Sequence, residues 1–253
     1  MKNSFLCSVR QGIQSPRFFV SLVAVAVVIF LSSLQQLLDV AKNTDQLATG
    51  FHATFVIHAL SQDGLFFITP IAAAIPLSAI YVEDLKSNYI RLFLFRCSRR
   101  QYVVGRIVGC YLSGGLVLFL GILLAYGVSF LLFAPMEATK PDLVQEQGIP
   151  EVLQAALPFF LSGGFWAVFG LAISTWMESR YIAYASPFIA FYVLVILRER
   201  YFYKFYILSP KEWLSPSENW FLGNWGLVIF SLELSFLTAL VFALRAGRRL
   251  MQL

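Results

Sequence analysis

Apolar residues along this chain come in long continuous runs rather than in alternation. A run of about 20 apolar residues matches a helix crossing a hydrocarbon core about 30 Å thick. Strands of a membrane barrel alternate lipid-facing and lumen-facing residues instead, so the pattern predicts helices. Six stretches qualify as spans: Phe18 to Leu38, Leu65 to Val82, Tyr102 to Phe133, Ala156 to Met177, Tyr181 to Leu197 and Phe221 to Ala243. The third is over-long, so it either tilts or holds its first turns, Tyr102 to Cys110, clear of lipid. The fifth is short, and Pro187 inside it invites a kink. The first run is longer than the apolar core of a secretion signal and ends in "LSSLQQLLD" without an Ala-x-Ala site, so it is expected to be a retained span.

Composition agrees with this pattern and excludes a soluble domain. Hydrophobic residues make up 58% of the chain and charged residues 13%, with a mean hydropathy of +0.72, whereas soluble domains carry about 25% charged residues. Residues 1–253 therefore read as one transmembrane domain. Lys and Arg near span ends are retained in the cytoplasm. With six spans, one face collects Lys2, Arg10, Arg17, the segment 82–106, the link Glu178 to Arg180 and the tail Arg245, Arg248 and Arg249, which is 13 of the 19 positive residues. The other face holds a net acidic loop with Glu137, Asp142, Glu146 and Glu151, although its last loop is richer in Lys and Arg than in acids. The majority predicts both termini in the cytoplasm of a multi-pass plasma-membrane protein.

The remaining chemistry is sparse. Cys7, Cys97 and Cys110 form no CxxC pair and no disulfide framework. His52 and His58, with Asp63 nearby, do not make a convincing ligand set, so no metal is expected. Glu233, within "SLELS" near the middle of the sixth span, is costly in lipid and should face protein or water. It reads either as a polar point in a transport path or subunit interface, or as a hydrogen-bonded carboxyl tying the last span to its neighbours. Gly114, Gly115, Gly121, Gly163, Gly164 and Gly170 permit close approach between spans. The aromatic-rich stretch 198–221 reads as a belt anchoring helix ends at the interface, or as an element gating an amphipathic substrate.

The stretch "VEDLKSNYIRLFLFRCSRRQYVVGR", residues 82 to 106, concentrates charge in an otherwise apolar chain. Glu83 and Asp84 open it where a helix N-terminus favours negative charge. Leu85, Tyr89 and Leu92 recur at helical spacing, and Ile90 and Phe93 widen the apolar side. The expectation is a short amphipathic helix from about Glu83 to Phe95 on the cytoplasmic membrane face. Plain positive-inside anchoring accounts for the arginines but not for the acidic start.

An acidic pair ending the second span, a short helix, then "SRRQYVVGR" opening the third resembles the transmembrane subunits of ATP-binding cassette transporters of the ABC-2 type. The positions that carry the likeness are Glu83, Ser98, Arg99, Tyr102, Gly105 and Arg106, within a six-span layout over the whole chain. Arg96 stands where that family often has proline, and Asn88 where glycine is common. The resemblance implies an all-α integral membrane fold of the type V exporter kind. It would have an N-terminal elbow helix over residues 1–16, with Phe5, Leu6, Val9 and Ile13 as its apolar stripe, and a coupling helix between spans two and three. It implies ATPase-coupling roles for Glu83, Asp84, Leu85, Tyr89, Leu92, Arg99 and Glu178. It further implies two copies of a cytosolic ATPase subunit, a second permease subunit, identical or not, and a bacterial plasma membrane.

No GxxxxGK[ST] loop is present to cradle nucleotide phosphates. ATP and Mg would therefore bind the partner ATPase and not this chain, which is expected to be no enzyme by itself and to bind no nucleic acid. The expected activity is export of an amphipathic substrate: an antimicrobial peptide, a drug or a lipid-like molecule. Two rivals are an ion-coupled carrier titrating Glu233 and a membrane-embedded enzyme, the latter lacking HExxH and GxSxG motifs. Charge reversal at Glu83 and Asp84 is expected to detach the ATPase without unfolding the bundle.

Overall fold

In the computed structural model the described residues form helices joined by turns and links, with one two-residue strand pairing among them. The structure describes residues 2–42, 47–95, 98–138, 148–202, 204–216, 220–221 and 223–251, with backbone alone for residues 2–7, 41, 91, 92, 94, 138 and 224.

The first two helices are α1 (Lys2–Ile13) and α2 (Pro16–Ser32). Ser15 caps α2 by accepting the Phe18 N–H at 3.2 Å, and Pro16 fills the first helical position, where no N–H is needed. At Ser33 the chain bends by 62° into α3 (Leu34–Lys42). The expected span from Phe18 to Leu38 is therefore broken. Gln35, Gln36 and Asp39 make α3 two-faced, unlike the uniformly apolar α2.

After β1 (Leu47–Ala48) comes a helix outside the six expected spans, α4 (Phe51–Leu60), which turns by 74° into α5 (Asp63–Ala74). Pro76 lacks an N–H to continue α5, so residues 75–79 form turns before α6 (Ile80–Lys86). The expected second span, Leu65 to Val82, is thus two helical pieces. Asn88, left-handed at φ 57°, separates α6 from α7 (Tyr89–Leu94).

Ser98 starts α8 (Arg99–Phe133) through a reciprocal capping box with Gln101. At 35 residues, α8 is about 52 Å long, well beyond a hydrocarbon core of about 30 Å. Next come β2 (Glu137–Ala138), α9 (Ile149–Met177), α10 (Arg180–Arg200) and α11 (Asn224–Arg249). Helix α10 has 21 residues and keeps Pro187 inside it, so the fifth span is not short. Among the described residues four helices, α8 to α11, are long and apolar enough to cross a membrane, and the two bent pairs raise the number to six if each is one span.

Helix α9 is the centre. Its most apolar window is 72% buried, against 22% for the windows of α10 and α11, so those two present their outer faces to the surroundings. Helices α8 and α9 cross closely: a Cβ on Gly114 would lie 2.4 Å from Ala167 Cβ, and one on Gly163 2.8 Å from the Gly114 carbonyl oxygen. Helix α1 docks on α8 rather than only lying beside the bundle. A Cβ on Gly12 would meet Leu77 Cδ1 at 2.6 Å and Ser113 Cβ at 3.0 Å. The link between α10 and α11 also enters the bundle. Trp213 (5% exposed) stacks on Trp166 at 6.0 Å, and its indole N–H donates to the Ile207 carbonyl at 2.8 Å. Tyr201, Phe202, Phe205 and Phe221 remain outside as an aromatic fringe. This stretch is thus both a fringe and a plug.

Candidate functional site

At one end of the bundle two arginines tie together helices distant in sequence. Arg17, in the first turn of α2, donates to Glu83 Oε1 of α6 at 2.8 Å and to the Tyr184 hydroxyl of α10 at 3.1 Å. Arg106, in the second turn of α8, is 3% exposed and pairs with the Asp84 carboxylate at 2.7 Å. The Tyr102 hydroxyl donates to the same Asp84 oxygen at 2.7 Å, and Arg106 donates to Gln11 Oε1 of α1 at 2.7 Å. The Arg106 guanidinium also lies 5.4 Å from the Tyr102 ring centroid and 5.8 Å from that of Tyr89 on α7. One planar cation thereby links α1, α6, α7 and α8, a task suited to its fork of donors and its flat face. A cleft of about 540 Å³ opens beside it between α1 and α6, lined by Arg10, Gln14, Glu83 and Ser87 among others.

The residues expected to couple to an ATPase separate into groups here. Glu83 and Asp84 do not open the amphipathic helix: they belong to α6, and α7 has no acid in its first turn. Asp84 is 5% exposed and turned inward. The expectation that reversing it spares the bundle is therefore corrected, because a cation there would be buried against Arg106. Glu83 is half-buried, and Leu85 packs against the core. On α7 the inward residues are Ile90 (1% exposed) and Phe93, whereas Tyr89 is exposed. The side chain of Leu92 lies outside the described residues. Arg99 is exposed at the start of α8. Glu178 is exposed, sits at φ 48° between α9 and α10, and accepts from Arg249 at the end of α11. Arg245 covers the Trp176 ring at 4.9 Å. Glu233 lies exposed on the outer face of α11, away from the bundle core.

The opposite end is closed by a carboxylate. Glu137 of β2 accepts the backbone N–H groups of Gly50 and His52, each at 3.0 Å, at the start of α4, and its Oε1 is 2.7 Å from His52 Nδ1. His52 Nε2 meets the Tyr126 hydroxyl of α8 at 3.2 Å. A helix N-terminus attracts negative charge. Burial pushes the Glu137 carboxyl up, but the Gly50 and His52 donors outweigh it and hold the group below its ordinary value. His52 thus serves an internal bond, and among the described residues no cluster of three metal-ligating side chains exists. Nearby, Lys211 pairs with Asp63 at 2.8 Å and fastens the link after α10 to the start of α5.

Sequence reasoning missed Gln11, Arg17 and Tyr184, and it assigned Tyr102 and Arg106 by resemblance alone. The available signal was the rarity of charge: an arginine inside an apolar helix needs a partner. No family model matches the chain, and no curated protein or solved structure matches it either.

Proposed function

We propose that this chain is the membrane subunit of an ATP-driven exporter of the ABC-2 type, with the Glu83 end and both termini in the cytoplasm. ATP and Mg bind a separate cytosolic ATPase, in two copies, and a second membrane subunit completes the transporter. The observation that carries this reading is the Arg106 cluster. It fastens the short α6–α7 turn to the base of a 35-residue helix, so force applied to the turn moves α8. Asn88, at a position where the resembling family commonly has glycine, takes the left-handed conformation that glycine adopts readily. Glu83, Arg10 and Ser87 line an open polar cleft at the same end, a surface fit for a soluble partner.

The rival reading of an ion-coupled carrier requires Glu233 to titrate within a path, and that residue faces outward on α11. Within the proposed assembly Glu233 belongs at a contact with another chain. The exported molecule is an amphipathic peptide, drug or lipid-like compound.

Purification of the tagged chain from its own membranes tests the proposal. An ATPase subunit is expected to co-purify and to show vanadate-sensitive hydrolysis. Glu83→Lys should lower its recovery severalfold while leaving the bundle folded. Substrate export by the purified chain alone, with no nucleotide-hydrolysing companion, overturns the reading.

A further inference from the structure

Beside the plug at the His52 end lies a second, larger cleft of about 830 Å³, bounded by α4, the first turns of α9, the link after α10 and the start of α11. Ligand cavities for drug-sized molecules span about 300–1,000 Å³ and combine apolar walls with a few polar groups. Here the floor is apolar and buried: Leu60, Phe159, Leu214 and Leu227. The rim is polar and exposed: Ser61, Glu151 and Gln154. Among the described residues the acidic side chain lining it is Glu151 and the basic one is His58.

The Glu151 carboxylate is held in place. Its Oε2 accepts the Gly148 N–H at 2.7 Å in the first turn of α9, which leaves Oε1 for a further donor. Trp220, on the wall, has an indole N–H that is buried and lacks an acceptor among the described residues. Its ring forms part of the cleft lining, so its fluorescence reports on what occupies the cleft.

We infer that this cleft binds a cationic amphiphile, its apolar part on the Leu60–Leu227 floor and its ammonium group at Glu151. An anionic amphiphile is disfavoured by the Glu151 carboxylate at the rim, and a small ion would leave the floor unfilled. The site is independent of the motor assigned above, because none of its residues belongs to the Glu83 end.

Binding of brominated alkylammonium to the purified chain in nanodiscs tests the assignment, with quenching of Trp220 read against Trp220→Phe. Saturable quenching is expected for the alkylammonium. Loss of the charged hydrogen bond in Glu151→Gln should weaken it about tenfold, and Leu227→Trp, which fills the floor, should abolish it. A neutral brominated alkyl maltoside should bind more weakly and ignore Glu151→Gln. Non-saturable quenching, or equal affinity for the two probes with no effect of Glu151→Gln, overturns the assignment. Retained folding of Glu151→Gln is checked by its unchanged helical circular dichroism, and exposure of the residue on a first turn favours it.

Discussion

At the residue scale the Asp84–Arg106 pair is the costliest thing to disturb. Both side chains are almost fully buried, and removing one leaves the other charged and alone, which costs about 3–5 kcal/mol. Asp84→Ala is therefore expected to lower thermal stability sharply, whereas Glu83→Ala, at a partly exposed pair with Arg17, should cost far less. Arg106→Lys keeps the charge but loses the planar fork, so it should also weaken the contact to Gln11; melting curves in detergent report all three. A pH effect belongs to Glu137. Its folded value is lowered, so its contribution to stability is present above about 4.5 and is lost as pH falls through the lower folded value. Hydrogen exchange at the Gly50 and His52 amides should accelerate below that pH in the wild type, and Glu137→Gln should flatten this acid dependence.

At the scale of elements, the long helices were legible because uninterrupted apolar runs admit few other structures in a membrane. The third span was expected to begin at Tyr102, whereas the Ser98–Gln101 capping box starts α8 at Arg99. What the sequence hid follows from length and from distance. Ten residues of α4 are too few to cross a bilayer, so Phe51 to Leu60 looked like loop although Ala53, Val56 and Ala59 are buried. Trp213 reads from the sequence as an interface aromatic because nothing in its spacing says that it turns inward. Apart from Tyr102 on α8 itself, the partners of Arg106 lie on three other helices, and no local period links them. One prediction belongs here. Gly114→Leu should separate α8 from α9, since even a methyl group would lie 2.4 Å from Ala167. The expected result is loss of a monodisperse peak in size-exclusion chromatography, while Gly127→Ala, where nothing lies within 4 Å, should be silent.

At the scale of the whole molecule, two differently built ends face each other. The Glu83 end is knit by charged side chains from α2, α6 and α8 together with Gln11 of α1 and Tyr184 of α10, and the His52 end by a carboxylate on backbone donors and an aromatic plug. In the proposed assembly the first end receives work and the second meets the substrate. Cross-linking α7 to α1 through cysteines at exposed positions should then stop export while leaving amphiphile binding at the far cleft intact, as quenching of Trp220 would report.

Both ends share α8. Arg106 sits near its start and Tyr126, which reaches His52, lies 20 residues further on, about 30 Å along the axis. Between them, close to the midpoint, Gly114 bears directly on α9. A stiff beam resting on a central fulcrum cannot swing one tip without swinging the other in the opposite sense. Tilting it by about 10° would carry each tip roughly 4 to 5 Å, so pushing the lower tip inward would draw the upper tip, which carries the Tyr126 contact to His52, outward.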